Sequence, residues 1–591
     1  MTDGIDVTLF GGARERKQET AEASGAETEN ESAEVGKRQR GGSGNGGESA
    51  ARKVETVKRR INWGAMTDDQ ENTGADDDVR AGQGLQSAAA DLSFKVCTRL
   101  ADSLGAQGAS TRTAHGGVAG NASTSSDTTA EATTHGAATG SASTSGDATG
   151  ETTAHGAATG SASTSGDPTG EATANGPFRE KGEAGPLGRT GVIETPHGTI
   201  RTPAFIPVAT KATVKTLTPE QVRSTGAQAM LSNAYHLYLQ PGPDIVDEGG
   251  GLAEFENWHG PTYTDSGGFQ VMSLGVGYKK VLAMDTKGRS EADIIQQQKK
   301  RMAVVDEDGV DFRSVIDGSK HRFTPEVSMQ IQHQLGADIM FAFDELTTLV
   351  NTRSYQEESV ARTHRWARRC LAEHQRLTDI RQHRPLQSLW GVVQGAQYED
   401  LRRQAARGLV ELSREAEAQG NRGFGGFGIG GALEKENLGT IVRWVAEELP
   451  EDKPRHLLGI SEPDDLFTAI EAGADTFDCV APTRLGRRGG VYTLDGRLNL
   501  MGARFKRDFS PIDAEVGGYV SENYSRAYIH HLLKAKEFLA GTLCTLHNLH
   551  FMVGLVDRIR ESMEQGRFYE FREEFMSRYY GPTWQERLGQ H

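Results

Sequence analysis

Cysteine is scarce in this chain. Its 591 residues contain four, Cys97, Cys370, Cys479 and Cys544, with no C-x-x-C pair and no disulfide-like spacing. That points away from a disulfide scaffold and toward a reducing compartment, the cytoplasm. Long apolar runs are missing as well. No stretch reaches the roughly 18 consecutive apolar residues that suggest a spanning helix, so no membrane segment is expected. The opening Met1–Asp6 lacks the basic-then-apolar pattern of a secretory signal. A positive field is absent too. Residues 1–186 hold 17 Lys+Arg against 27 Asp+Glu, a balance of −10, which leaves −6 of the total −16 for the remainder. Contact with a polyanion therefore has to come from a local patch.

Glycine is abundant, 72 residues in all, and residues 1–186 are rich in Gly, Ala, Ser, Thr and acids. Three copies of a 20-residue unit begin at His115, His135 and His155, and the second reads HGAATGSASTSGDATGETTA. Such units hold almost nothing large and apolar. Their burial cannot offset the entropy of ordering, so this extension, with its repeats over 115–174, is expected to be disordered. A stacked solenoid would need an apolar stripe in every unit, and these offer only alanine. The basic stretch Ala51–Trp63 could form a helix and reads as a solvated charged segment, with contact to RNA as the other possibility. From about residue 187 the texture becomes globular, and 187–591 is long enough for a barrel with insertions.

That second part alternates short β-branched or aromatic runs with polar helical stretches. The predicted strands are Ala204–Val208, Ala229–Asn233, Arg313–Ile316, Asp338–Phe343, Ser388–Val393, Phe424–Ile429, His456–Ile460 and Ala474–Val480. The predicted helices include Pro325–Leu335, Ser354–Arg376, Glu399–Glu417 and Pro463–Ala472, with Thr218 and Thr324 as N-caps before Pro219 and Pro325. Strand–helix alternation implies a parallel α/β sheet. Asp317, Asp344, Gln394 and Asp478 stand at or just past strand ends, which favours a closed (β/α)8 TIM barrel whose strand ends share one mouth. No G-x-G-x-x-G opens a helix with an acid about 20 residues on, so a dinucleotide-binding fold is the weaker reading.

Three segments put a carboxylate among apolar neighbours: TDSGGFQ around Asp265, FDE around Asp344 and FDCV around Asp478. Burial makes ionisation costly and prepares a carboxylate for acid/base or nucleophilic work. Each alone is as readily a helix cap or an ion-pair partner. Together they belong to an ordered series: TPAFIPVATKATVKTL (202–217), LSNAYHLYLQPG (231–242), YTDSGGFQVMSL (263–274), IDGSKH (316–321), MFAFDE (340–345), WGVVQG (390–395), GFGGFGIGG (423–431), HLLGI (456–460), FDCVAPTRLGRRG (477–489), NLMGARFKRD (499–508) and SRAYIHHL (525–532). The series resembles the tRNA-guanine transglycosylase (queuine tRNA-ribosyltransferase) family in its bacterial form, over residues 187–591 and not over 1–186.

The resemblance implies a pentosyltransferase of queuosine biosynthesis that exchanges the wobble guanine of G-U-N anticodons. It implies Asp478 as nucleophile and Asp265 as general acid/base, in a double displacement like that of retaining glycosidases. Asp344 and Gln394, with backbone groups of Gly426 and Phe427, would read the base edge. Phe269, where the family usually has Tyr, and Leu458 would clamp the flat ring. Arg484 and Arg487 would hold the tRNA anticodon loop. Ile429, where eukaryotic members keep a small residue, favours a small deazaguanine base over queuine. A homodimer is implied by analogy. Arg504, Lys506 and Arg507 extend the basic stretch, or are merely a solvated loop.

The family's structural zinc is held by C-x-C-x-x-C and a later His, and those positions fall on Val516, Gly518, Ser521 and His547. A closed zinc site needs four mainly thiolate or imidazole ligands. One imidazole is not a site, so no zinc and no other cofactor is expected. His547 should be a hydrogen-bonded structural residue, with Val516, Tyr519 and Val520 packing in place of the metal within a C-terminal helical subdomain, 499–591. Three other functions compete: a catalytically silent tRNA-binding subunit, an archaeal-type enzyme acting elsewhere on tRNA or a relative acting on DNA, and a barrel glycosidase.

Overall fold

The computed structural model describes residues 92–102, 185–275, 303–349, 351–431 and 433–588. The three repeats and the stretch Ala51–Trp63 lie outside them. One segment of the extension does not. Ser93–Arg99, inside the region expected to be disordered, forms strand β1 and pairs antiparallel with β2 (Arg189–Thr195), which pairs with β3 (Gly198–Thr202). The physical reason is a local period of two. Phe94, Val96 and Thr98 turn to the half-buried side of the strand, Arg189 lies 4.8 Å over the Phe94 ring, and Leu100 behind them is fully buried.

β3 runs directly into β4 (Ala204–Ala209), the first of eight parallel strands closing a barrel. It continues through β5 (Met230–Ser232) and β6 (Thr262–Thr264). An antiparallel excursion follows: β7 (Ala303–Val305), β8 (Val310–Arg313) and β9 (Lys320–Phe323). The barrel resumes with β10 (Ile339–Phe341), β11 (Ser388–Val393), β12 (Gly426–Ile429), β13 (Arg455–Leu457) and β14 (Thr476–Cys479), which pairs back onto β4 from Thr476↔Ala204 to Cys479↔Pro207. Arg313–Ile316 is therefore not a barrel strand. Arg313 ends β8, residues 314–317 form a turn, and the remaining barrel strand is Thr262–Thr264. Asp317 goes with that turn. It is exposed and accepts from Ser319 within the β8–β9 connection, not at the end of a barrel strand.

The barrel interior is filled, not hollow. Ile206, Leu231, Tyr263, Phe341 and Trp390 pack together, joined by Ile193 and Ile200 from the β2–β3 hairpin. That hairpin is locked to the barrel by Arg189, whose guanidinium makes two bonds to Asp475 (3.0 and 2.8 Å), both side chains being buried. Removing one partner of such a pair costs about 3–5 kcal/mol. Helix starts are set by local chemistry. Thr218 and Gln221 form a reciprocal capping box before Pro219–Arg223, and Thr324 caps Pro325–Leu335, which ends on Gly336 in the left-handed region (φ 73°).

After β14 the chain forms the helix Ala481–Gly486, a hairpin of β15 (Gly490–Thr493) and β16 (Gly496–Asn499), and a helical region whose centre is Phe538–Glu564. By length and composition that 27-residue helix could cross a membrane, a property that counting consecutive apolar residues did not show. Its most apolar window is 78% buried, because it packs on Ala481–Gly486, β4 and β15. It is a core helix.

Candidate active site

Parallel closure sends the C-terminal ends of all eight strands to one mouth, and three carboxylates stand there. Asp265 follows β6 directly. Its Oδ1 accepts the Ala234 N–H (2.9 Å), and its Oδ2 accepts the Gln270 amide (3.0 Å) and that of Asn233. Asn233 is placed by a second task, since its Oδ1 caps the helix Ala234–Leu239 through the His236 N–H (3.2 Å). Burial pushes the Asp265 carboxyl up to about 7, and the charge of Asp478 pushes the same way against the bonds from Ala234 and Gln270.

Asp344 lies beyond β10, buried, with Oδ1 accepting from Ser266 Oγ (3.2 Å) and Oδ2 from Gln394 Nε2 (2.6 Å). Burial raises it to about 6, helped by the neighbouring charge of Glu345. Gln394, at the end of β11, donates to Asp344 while its Oε1 is buried without a partner. A buried acceptor left open in this way costs about 1–3 kcal/mol unless a donor fills it. Asp478, within β14, holds Oδ1 between the Gly459 N–H (3.0 Å) and His456 Nε2 (3.2 Å). Ser266, next to Asp265, touches Asp344, and Asp265 senses the charge of Asp478. The three carboxylates thus stand at one mouth, with Asp478 acting on Asp265 through its charge and Ser266 beside Asp265 bonded to Asp344.

Other expected residues are placed less uniformly. Leu458 follows β13 at the mouth, half-buried, with Cδ1 close above Gly428, while Phe269 is 46% exposed at the start of the helix Gly268–Gly275. Gly426 and Phe427 do not belong to the mouth. They open β12, their backbones are taken by the ladders to β11 and β13, and a Cβ on Gly426 would meet the Trp390 ring. The glycines beside Gln394 are Gly430 and Gly431, each so close to its amide that a Cβ would sit 2.8–3.0 Å from it. Arg484 is exposed. Arg487 is half-buried with Nη1 lacking any partner, and burial together with the charges of Arg484 and Arg488 lowers its pKa. Such a guanidinium cluster suits an anion.

The residues at the family's zinc positions do not fit a zinc ion. Val516 is core, Gly518 lies under the His550 ring, and Ser521 offers a hydroxyl. His547 is committed on both nitrogens, Nε2 to Tyr492 O (2.7 Å) and Nδ1 to Ser521 Oγ (3.4 Å), and burial lowers its pKa to about 4. Ser521 Oγ also accepts the Asp513 N–H (3.3 Å), and Asp513 holds the Leu494, Glu515 and Val516 N–H groups. Val516 and Val520 are buried as expected. Tyr519 is not: it is 56% exposed and contributes no packing in the metal's place.

Sequence reading missed His456, Asn233, Gln270 and Ser266. Asn233 carried a helix-cap signal, and Gln270 and Ser266 lay inside a segment already singled out. His456 opens the quoted segment HLLGI and a predicted strand, but nothing in either marked it as a partner of Asp478.

Comparison with known proteins agrees with this geometry. The family model described as queuine tRNA-ribosyltransferase matches residues 184–581. A queuine tRNA-ribosyltransferase of Caldanaerobacter subterraneus subsp. tengcongensis is 43% identical over 404 residues, 68% of this chain and 96% of that protein. One of Pelotomaculum thermopropionicum is 44% identical over 396 residues, 66% and 95% respectively. One of Staphylococcus aureus is 43% identical over 394 residues, 66% and 93%. The barrel, the carboxylates at its mouth and these matches agree, and the chain belongs to the queuine tRNA-ribosyltransferase family of tRNA-modifying pentosyltransferases.

Proposed function

We propose that this enzyme exchanges the wobble guanine of G-U-N anticodon tRNAs for 7-aminomethyl-7-deazaguanine through a covalent aspartyl-ribosyl intermediate. Asp478 attacks C1′ of the target nucleotide, and the C1′–N9 bond breaks with its electron pair going to guanine, which takes a proton from Asp265. The incoming base then gives its N9 proton to Asp265 and attacks C1′, and the C1′–Asp478 bond returns its pair to the carboxylate. A group titrating at about 7 serves both proton transfers. Asp344 and the unpaired Gln394 Oε1 recognise the base edge, with Phe269 and Leu458 against its faces. Base stacking of this kind contributes roughly 1–3 kcal/mol. Buried Ile429 favours the small precursor.

Arg484 and Arg487 hold the anticodon loop. Neither is paired with a carboxylate among the described residues. The subdomain carries no zinc, because its donor set does not fit one. A homodimer is part of the same proposal, and the exposed Phe509, Tyr519, Tyr528 and Phe538 give it an apolar surface. Free thiols suit a cytoplasmic place.

The observation that carries this reading is a charge-coupled carboxylate pair beside a buried, unfilled amide acceptor at one barrel mouth. Both catalytic carboxylates being held there argues against a silent binding subunit. The test is washout of labelled guanine from an anticodon-loop hairpin, with and without the deazaguanine. Wild type should release guanine and take up the precursor, and D478N should lose at least about 1,000-fold. Exchange by D478N at the wild-type rate, or release of a sugar instead of guanine, would refute it.

A further inference from the structure

We propose that His456 is a positioning residue that commits Asp478 to react through Oδ2 and assists departure of its carboxylate. The inference rests on Asp478 being the nucleophile. His456 is fully buried within β13, in register with Thr476 on β14, and its two nitrogens are both engaged: Nδ1 with Thr476 Oγ1 (2.9 Å) and Nε2 with Asp478 Oδ1 (3.2 Å). A carboxylate oxygen accepts only, so Nε2 must carry the proton. In the neutral ring, Nδ1 then accepts from the Thr476 hydroxyl, which supports the tautomer that Oδ1 imposes. Two aromatic rings hold the imidazole plane, Tyr263 at 5.7 Å and Phe341 at 5.2 Å between centroids.

The second donor to Oδ1 is the Gly459 N–H, aimed by a backbone φ of +82° that glycine adopts freely. Two donors thus occupy one oxygen, while Oδ2 accepts no hydrogen bond among the described residues. Oδ2 keeps its lone pairs for C1′. In the ester, Oδ1 is the carbonyl oxygen. When the incoming base displaces the ester, the C1′–Oδ2 pair returns to the carboxylate and the negative charge spreads onto Oδ1, where His456 and Gly459 already wait. Donors fixed in advance on a group that gains charge lower the barrier without reorganisation. His456 touches neither base nor ribose in this scheme and acts through Asp478.

Amide isosteres separate this role from a merely structural one. In H456Q the side-chain Nε2 falls near the imidazole Nε2 and can donate to Oδ1. In H456N the amide falls near Nδ1 and can reach only Thr476. Exchange on the anticodon hairpin should drop about 10- to 100-fold in H456N, the size of one hydrogen bond to a charged group, and H456Q should recover most of that loss. The second half-reaction should suffer more, so H456N chased with the deazaguanine accumulates covalent protein–RNA adduct relative to wild type. T476V, which keeps shape but removes the donor to Nδ1, should lose severalfold. Affinity for the hairpin should stay within about twofold throughout.

Equal rates and equal adduct levels in H456N, H456Q and wild type would overturn the proposal. So would equal losses in H456N and H456Q with the fold intact. If H456N does not fold, T476V at the wild-type rate and adduct level overturns it. Failure of the underlying reading looks different: D478N would still exchange, and wild type would form no adduct at all.

Discussion

The barrel mouth and the stretch from Asp513 to His550 answer the same question in opposite ways. At the mouth stand Asp265, Asp344, Gln394 and Asp478, where Ser266 and Gln394 donate to Asp344 and His456 bonds Asp478. In the C-terminal region Val516, Gly518 and Ser521 stand where the resemblance would put zinc ligands, and the chain folds back on the helix Phe538–Glu564 through hydrogen bonds and packing. A reaction needs charge at particular atoms, and in the proposed reaction a longer or neutral side chain would not place a carboxylate oxygen at C1′. A cross-link needs only free energy, which hydrogen bonds and packing can provide. Here Asp513, Ser521, His547 and Tyr492 O form a continuous network that joins the loop, a helix and the β15–β16 hairpin.

The contrast can be broken first at the mouth, where the effect is largest. In the proposed reaction guanine release requires protonated Asp265, whose pKa is raised to about 7 by burial, so its single-turnover rate should fall about tenfold per unit above that pH. Capture of the incoming base requires the ionised form, so its rate should rise to a plateau near the same pH. D265N should lose both trends along with about 100-fold or more in rate. Retention of both breaks in D265N would remove Asp265 from the proton transfers.

A smaller effect is expected in the C-terminal region. H547A should cost about 2–4 kcal/mol, since it opens a cavity and leaves two partners unpaired. His547 has its pKa lowered to about 4 by burial, so the folded state resists its protonation while the unfolded chain accepts it. Its contribution is complete above the ordinary value of 6.5 and is lost as pH falls toward about 4. Buried His333 and His374 act in the same direction, so H547A should remove a share of the acid sensitivity and not all of it. The smallest expected effect is none: prolonged chelation should leave the melting midpoint unchanged, and metal analysis should find less than one zinc per several chains. A stoichiometric zinc whose removal lowers the midpoint would show that the replacement network is not what holds this region.

Much of this was legible in the sequence where local signals agreed. Pro325–Leu335 has its predicted bounds because cap, proline and terminal glycine all mark them, and Ser388–Val393 is a continuous apolar run. Signals that were short or averaged out were not legible. Thr262–Thr264 is only three residues long and runs into a polar turn, so an isolated β-branched run at 313–316 took its place. β1 alternates Phe94 and Val96 but sits in a segment whose overall composition is polar. Gly426 and Phe427 were placed at the mouth because six of the nine residues Gly423–Gly431 are glycine, so the strand and the loop after it differ little in texture. Only three-dimensional register shows that the loop begins at Gly430. Asp265, Asp344 and Asp478 were legible as a set because an ordered series of segments carried them. His456 was not, since a histidine in a buried strand is ambiguous until its two neighbours are known.

The central claim, that Asp478 takes the ribose, is tested most directly by mapping the covalent bond. The protein is mixed with the anticodon hairpin, quenched in denaturant, digested and sequenced by mass spectrometry. The account predicts a ribosyl ester on the peptide holding Asp478 in the wild-type protein and none in D478N. An ester on Asp265 or Asp344, or rapid guanine exchange with no protein-bound RNA at any time, would contradict it.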